Sequence, residues 1–491
     1  MTQPKRLDAL PPLSRRAVLG GGGLLAAFAL AGRAAHAAGP VDVLVVGAGL
    51  AGLQAALLLE EAGARVRVLE GRRRAGGRLF TLDRVPGQPE AGGAGIGHGY
   101  ARLIDRAERL GIRFVPQRER TEAQPDSTLV ALRGALIRMA DWPGHALNPF
   151  DGEWRTRPPW QVSFRALGSL NPLPDAASWR KPAFHRFDRS VADVLADAGW
   201  SERQLELAYG TNPSYGNSAY DVSALMWWHV ARNLETMAGP TAATRGQVLA
   251  VAGGNQRLPE RMAEALRGDV AYGREVALVR QHAGAVEVIT RDGAVERARA
   301  VVMAVPASAL RLVRFDPPLP GDQWAAIEAL PYNRVVQAHF VPTEPFWRRD
   351  GLPPSMWTDT LAGRLMALRY GADPEEVTCF VAFVNGQAAD RLDRLEPRVA
   401  IAAILEDLAR IRPATRGRLR PVHFLSWQRD PFAGGAYACW APGQVRTLPP
   451  LLERPAGRIL FAGEHTARVG RGMEGAMESG ERAAFEALER L

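Results

Sequence analysis

The chain has 491 residues, of which 47% are hydrophobic and 23% charged, and carries a formal net charge of +9. That length and balance supply at least one large buried core and suit a division into two domains. Lysine is confined to Lys5 and Lys181, so arginine provides nearly all the positive charge. Five basic groups against one acid fall within residues 1–37, a net +4, and the remaining excess is spread without long basic runs. No nucleic-acid module is visible in this pattern, which reads as the solvated surface of a large soluble protein.

Residues 1–37 read as an export leader. Ser14-Arg15-Arg16-Ala17-Val18-Leu19 resembles a twin-arginine box, a mildly apolar, glycine-rich stretch runs to Ala31, and Ala35-His36-Ala37 offers a small-x-small cleavage site. An uncleaved membrane anchor is the alternative, for which the stretch is short and diluted by glycine. Twin-arginine export carries folded proteins, which suits a protein that takes up its cofactor before transport. The expectation is a periplasmic protein with the twin-arginine export machinery as a partner. Cys379 and Cys439 are the only cysteines. They are read as separate buried thiols, with a bridge left open because sequence cannot supply the distance.

The most informative stretch is Val43–Thr81. The apolar run Val43–Val46 predicts a buried parallel strand that breaks at Gly47-x-Gly49-x-x-Gly52. Gly47 makes the tight turn, Gly49 lets the backbone approach a pyrophosphate, and Gly52 lets the following helix pack against the strand. That helix offers its N-terminus to the anion. A second strand, Arg65–Leu69, ends in Glu70, placed to accept ribose hydroxyls. Directly after it, Arg72-Arg73-Arg74-Ala75-Gly76-Gly77-Arg78 is a second glycine turn flanked by guanidinium groups able to brace phosphates bidentately.

Further along, Glu90-Ala91-Gly92-Gly93-Ala94-Gly95-Ile96 is another glycine-rich segment, followed by a helix at Tyr100–Leu110. Residues 112–246 are irregular and rich in Pro, Trp and Arg, with helical patches at Ser190–Gly199 and Val222–Leu234, and have the character of an insertion. Val251-Ala252-Gly253-Gly254 precedes an amphipathic helix, Gln256–Leu266, and the alternating runs Glu275–Arg280 and Ala285–Thr290 meet at a turn. A strand Ala300–Val305 follows. Residues 316–445 bring strands at Arg334–Val341 and Thr378–Val384 and a helix at Val399–Arg410. Finally, Arg458–Gly463 is a strand ending beside Glu464-His465-Thr466, and Gly472-Met473-Glu474-Gly475-Ala476 starts a helix reaching Leu491.

Taken together, Glu70 with its GRRRAGGR turn, the glycine-rich segment at 90–96 and the closing FAGE and MEGA motifs resemble the flavin-containing amine oxidases. The resemblance spans most of the chain after the leader and covers the helical insertion least. It implies an α/β fold: a Rossmann-like FAD-binding domain, interrupted in sequence, with an inserted α+β substrate-binding domain. The boundaries implied are 38–100, 247–315 and 446–491 for the FAD-binding domain, and 101–246 with 316–445 for the substrate-binding domain. Gly47, Gly49, Gly52, Glu70, Arg72, Gly77 and Arg78 would hold FAD. Gly93 and Ala94 would lie beside the isoalloxazine, and Val276 would touch adenine through its backbone. Glu464 would meet the ribityl or phosphate chain, and the helix N-terminus at Met473 would face the flavin pyrimidine, favouring charge that develops on reduction.

Three departures shape the functional expectation. Ala436, in Gly434-Gly435-Ala436-Tyr437, stands where mitochondrial monoamine oxidases carry the cysteine bonded to flavin, which implies noncovalent FAD. Gln337, in Leu330-Pro331-Tyr332-Asn333-Arg334-Val335-Val336-Gln337, aligns with a lysine that many relatives hold through water near flavin N5. Without that cation, electrons go to O2 slowly or to a periplasmic carrier, although Gln337 also reads as a polar side chain satisfied within its sheet. Gly95 stands where L-amino acid oxidases place an arginine clamp for the substrate carboxylate, which favours amines lacking that group.

Tyr437 matches one wall of an aromatic pair around the amine. Gly472 falls at the other, leaving room for a bulkier or secondary amine. Trp227, Trp228, Tyr215 and Trp440 read first as core, as His229 and His465 read as structural histidines. The chemistry implied is oxidation of a neutral amine by hydride transfer to FAD, giving an imine that hydrolyses to a carbonyl compound. No metal is implied, since nine histidines and two cysteines show no ligand spacing. A flavin-dependent C–C desaturase or oxidase and a noncatalytic flavin-bearing assembly protein remain the alternatives.

Overall fold

Val43–Val46 is buried along its whole length because it forms the middle strand of a five-stranded, all-parallel sheet. Covered on both faces, such a strand is apolar throughout and does not alternate. The strand order is Ile459–Phe461, Ala300–Met303, Val43–Val46, Val66–Glu70, Val270–Tyr272. The computed structural model describes residues 41–491 apart from 118–126, 236, 238–247, 372 and 374, so the leader motifs lie outside the described residues.

The first turn shows why glycine is required. Gly47 has φ +107°, and a Cβ on Gly52 would stand 1.9 Å from the Gly47 carbonyl oxygen. The helix Leu50–Glu61 can therefore start at once and lie flat on the sheet, against the C-terminal helix Gly472–Leu488. They approach closely at Gly480, where a Cβ would sit 2.2 Å from the Ala51 carbonyl oxygen.

A seven-stranded, largely antiparallel sheet forms the second layer, in the order Leu419–Ser426, Val335–Pro342, Cys379–Asn385, Arg364–Leu368, Ser355–Thr358, Thr128–Leu132, Ala135–Ile137. The register opposes Gln337 to Phe383. The expected runs around 275–290 form the hairpin Val276–Gln281 with Val286–Thr290. Part of the segment read as irregular is ordered: Thr128–Leu132 and Ala135–Ile137 are a hairpin closed by Arg133 (φ 49°) and Gly134 (φ 82°). Both turn residues have positive φ, as a two-residue turn of this hand demands. Helix Pro159–Ser169 was likewise not read from the sequence.

Cys379 and Cys439 are buried free thiols, and burial pushes both up to about 12. Among the described residues, no helix is long and apolar enough to cross a membrane.

Alanine ordinarily gains about 1 kcal/mol over glycine inside a helix. At Gly480 the 2.2 Å contact reverses that sign. Gly480→Ala is expected to destabilise by about 1–3 kcal/mol, the usual overpacking cost, seen as a lower thermal midpoint. An unchanged or raised midpoint would refute the close helix contact.

Candidate active site

A cavity of about 450 Å³ opens at the carboxyl ends of the parallel strands, bounded there by Gly47, Glu70, Ala304 and Gly463. This is where open α/β sheets bind ligands. Glu70 is buried, and its carboxylate accepts hydrogen bonds from the backbone N–H of Ala48 (2.7 Å) and of Arg72 (2.8 Å). One side chain thus ties the glycine turn to the end of the next strand. Gly49 faces open space, with nothing within 4 Å of where its Cβ would be. Gly52 does not line the cavity, and its part is the packing described above.

The four arginines of the second glycine turn separate into distinct placements. Arg72 and Arg78 line the cavity, while Arg73 is exposed. Arg74 donates to the carbonyls of Leu79 (2.9 Å) and Gly77 (2.9 Å) and holds the turn from behind. Burial, with Arg72 nearby, lowers its pKa to about 10. Arg72 Nη2 donates to Asp430 at 2.8 Å. Gly77 and Val276 line the same cavity.

At the opposite end the backbone lies close on every side. A Cβ on Gly92 would stand 2.1 Å from the Arg78 carbonyl oxygen, and one on Gly93 would stand 2.9 Å from Leu79 and 3.4 Å from Met473 Sδ. Asn255 fixes this segment by donating from Nδ2 to the carbonyls of Gly93 (2.9 Å) and Ala94 (2.7 Å). The Ala91 carbonyl accepts from both Gln337 Nε2 and Trp427 Nε1, each at 3.0 Å. Sequence reading missed Asn255 and Trp427. The signal for Asn255 was its place directly after Gly253-Gly254, whereas Trp427 lies on a stretch that carried no motif.

Arg78 Nη1 donates to the Ala436 carbonyl (3.0 Å) and to Glu464 Oε1 (3.1 Å), which also accepts from Ala438 N–H at 2.8 Å. Burial pushes the Glu464 carboxyl up, but Arg78, followed by Arg471, holds it below its usual range. Tyr437 donates from its hydroxyl to the Ser214 carbonyl (2.7 Å) and accepts from Asn333 Nδ2 (2.9 Å). Burial raises its pKa, followed by the effect of Tyr215, so it stays a neutral phenol. Tyr215 meets it edge-on, with ring centroids 5.3 Å apart.

Gly472 (φ +55°) has Tyr100 Oη 3.9 Å from its missing Cβ, so a phenol borders the side where no second aromatic was found in sequence. Gly95 also lines the cavity, and a Cβ there would stand 2.9 Å from Val248 Cγ1. Trp227, Trp228 and Trp440 are core residues outside the cavity lining. Lys181 is exposed elsewhere, donating to Ser178 Oγ at 3.1 Å. His229 stacks on Trp179 at 4.3 Å, and its Nε2 lies 2.8 Å from the Val469 carbonyl oxygen. Among the described residues, no group of His, Cys, Asp and Glu is placed to hold a metal.

These features fit a dinucleotide with a planar ring system. The helices Leu50–Glu61 and Gly472–Leu488 both start at the cavity with no side-chain cap on their first N–H groups. Such groups are ready partners for phosphate or for a ring carbonyl. The glycine-lined floor admits a flat ring that any Cβ would obstruct. The class defined by this sheet and cavity is a flavin-binding enzyme.

The chain belongs to the flavin containing amine oxidoreductase family, whose model matches residues 50–488. It is similar to the flavin-containing amine oxidase of Danio rerio, 29% identical over 458 residues, covering 91% of this chain and 85% of that protein. It is also similar to flavin-containing amine oxidase B of Homo sapiens, 29% identical over 461 residues, with 91% and 86% covered. Among solved structures, putrescine oxidase bound to putrescine matches with a TM-score of 0.73 at 26% identity, covering 91% of this chain and 99% of that one. Cyclohexylamine oxidase from Brevibacterium oxydans IH-35A gives a TM-score of 0.72 at 25% identity, with 92% and 99% covered. The protein is an FAD-dependent oxidoreductase that oxidises amines. Among the described residues no cysteine or histidine lines the cavity, and Ala436 is part of the lining, in keeping with FAD held noncovalently.

His465 is 2% exposed, and neither of its ring nitrogens has a hydrogen-bond partner. Burial lowers its pKa from 6.5 to about 4. The folded protein therefore stays unprotonated there while the unfolded chain takes up a proton, and stability falls as pH drops through that window. The loss is on the order of 3 kcal/mol. The contribution of Glu464, whose pKa is depressed from 4.5, is lost only at lower pH. With FAD saturating, the wild-type thermal midpoint is expected to fall between pH 6.5 and 4, and His465→Gln to flatten that slope. Identical slopes in the two proteins would disprove the assignment.

Proposed function

We propose that this enzyme oxidises a monoamine without an α-carboxylate, bound against Tyr437, which Tyr215 supports edge-on from behind. The observation that carries this reading is the charge inventory of the cavity. Its acidic lining residues are Glu70, Glu275 and Glu464. Glu70 and Glu464 are engaged by backbone N–H groups, and Glu464 also by Arg78. Glu464 and Arg78, which bond the backbone on either side of Tyr437, are paired with each other, and Glu275 is paired with Arg291, so no lining acid is left free for a distal ammonium and Arg78 is not free to clamp a carboxylate. Arg471 lies over the Tyr215 ring, 5.8 Å from its centroid, and disfavours a second cationic group on the substrate. The phenols and Trp427 instead present apolar surface on which a neutral amine can settle.

Bound FAD supplies the two-electron acceptor for the α C–H of the amine. The residues of the chain prepare that encounter. Glu70, Arg72 and Arg78 would hold the nucleotide, and the glycine segment pinned by Asn255 would lie against the ring. Tyr437, with its hydroxyl fixed by Asn333 and Ser214, orients the carbon and excludes water. Gln337 and Trp427 keep Ala91 in place. Electrons then pass to O2 or to a periplasmic carrier, a route consistent with the lack of a lysine in the cavity lining.

The test is to titrate the holoenzyme anaerobically with benzylamine, a secondary amine, a diamine and an α-amino acid while following the visible flavin band. Bleaching by the first two at far lower concentration than by the others is expected. Tyr437→Phe should raise the concentration needed by about tenfold, the loss of one to two hydrogen bonds that orient the ring. Preferential bleaching by the diamine or the amino acid would overturn the assignment. Admitting air then separates the acceptors, since rapid recovery indicates an oxidase and slow recovery a carrier-dependent enzyme.

We further propose that the enzyme is exported to the periplasm by the twin-arginine route, on the strength of Arg15-Arg16 and Ala35-His36-Ala37. The mature protein is expected to begin near Ala38, and replacing both Arg15 and Arg16 by Lys to leave it in the cytoplasm. An N-terminus well before Ala38, or export unaffected by the double substitution, would exclude this route.

A further inference from the structure

A second, small cavity lies outside the FAD cavity, between the helical insertion and the strands Ser355–Thr358 and Arg364–Leu368 of the seven-stranded sheet. Its volume is about 30 Å³, and Trp160, Trp227, Trp357, Arg364, Asn212 and Ser214 are among its lining residues. Its donors stand out. The indole Nε1 groups of Trp160 and Trp357 and the Nε of Arg364 are all buried without a hydrogen-bond partner, whereas the indole of Trp227 is directed at the Tyr209 hydroxyl. Trp357 is only 2% exposed. An unpaired buried N–H costs about 1–3 kcal/mol, so three lining one cavity point to an acceptor inside it.

The charge balance says which acceptor. No carboxylate lines the cavity, and among the described residues Arg364 has the Asn212 carbonyl oxygen (2.9 Å) as a partner and no acid. A guanidinium held among indole rings needs a counter-charge. A water molecule accepts about two hydrogen bonds and brings two protons of its own, whereas a halide accepts from every side and supplies the missing charge. The volume suits one such ion.

We propose that this cavity binds a single monovalent anion of the size of chloride, held by the indole N–H groups and Arg364. The site backs onto the active centre through Ser214, whose carbonyl accepts from Tyr437 Oη (2.7 Å) and Asn333 Nδ2 (2.9 Å). Anion binding therefore stiffens the strip of chain that fixes Tyr437, and is distinct from the amine and FAD sites.

Two measurements on the FAD-loaded enzyme decide the matter. Crystals grown with bromide replacing chloride should show an anomalous peak within hydrogen-bond distance of Trp357 Nε1 and Arg364 Nε. In solution at constant ionic strength, exchanging gluconate for chloride should raise the thermal midpoint by roughly 2 °C per tenfold increase once the site is half filled. Trp357→Phe should weaken that response and Arg364→Met abolish it. Should Arg364→Met fail to fold, Trp357→Phe and the wild-type titration still decide. Ordered water without an anomalous peak overturns the proposal, as does a midpoint that follows ionic strength alone. A bromide peak with no chloride-specific midpoint means an adventitious ion only and overturns it equally.

Discussion

Arg78 and Glu464 are 386 residues apart in sequence and 3.1 Å apart in space, and the construction of the site depends on that pair. Three separate pieces of chain meet there. Arg78 comes from the second glycine turn, Glu464 from the strand-to-helix passage near the C-terminus, and the Ala436 carbonyl and Ala438 N–H from the wall carrying Tyr437. A buried ion pair is seldom a source of net stability, but removing one partner typically costs about 3–5 kcal/mol, because the other is left charged and alone. The pair therefore fixes position. It sets the distance between the nucleotide floor and the aromatic wall, and so where an amine carbon can lie over a bound ring.

The same economy of connection recurs at smaller scale. Glu70 is read from sequence as a ribose acceptor, yet its carboxylate also receives the N–H groups of Ala48 and Arg72. The acid that would recognise the sugar thus also shapes the turn that would recognise the phosphates. Arg74 does for the second glycine turn what Glu70 does for the first, using donors in place of acceptors. Of the four guanidinium groups in this turn, one is spent on the fold, one is exposed, and two face the cavity.

Sequence made the nucleotide half legible because its constraints are local. A strand, a glycine turn, a helix start and an acid at the end of the next strand must follow in fixed order, so Gly47, Gly49, Gly52 and Glu70 declare themselves. The insertion did not yield in the same way. Thr128–Leu132 joins the seven-stranded sheet by pairing parallel with Ser355–Thr358, a partner more than two hundred residues away that no local pattern announces. Its hairpin turn, Arg133-Gly134, carried a usable signal in the glycine between two apolar runs. Trp427 was invisible for another reason. Its role comes from a single hydrogen bond to the Ala91 carbonyl, and nothing in its own neighbourhood marks it as special.

That carbonyl also explains what the chain does at the position where the family resemblance places a lysine. Gln337 and Trp427 both donate to Ala91 O at 3.0 Å, using the two directions in which a carbonyl accepts. A lysine at 337 would bring a full charge beside a carbonyl already engaged by the indole, in a setting where Gln337 is only 4% exposed. The amide satisfies the same oxygen without importing charge, and the two neutral donors clamp the backbone just before Gly92 and Gly93. Local rigidity beside the glycine segment is obtained here from paired N–H groups, without the charge that an ammonium would bring.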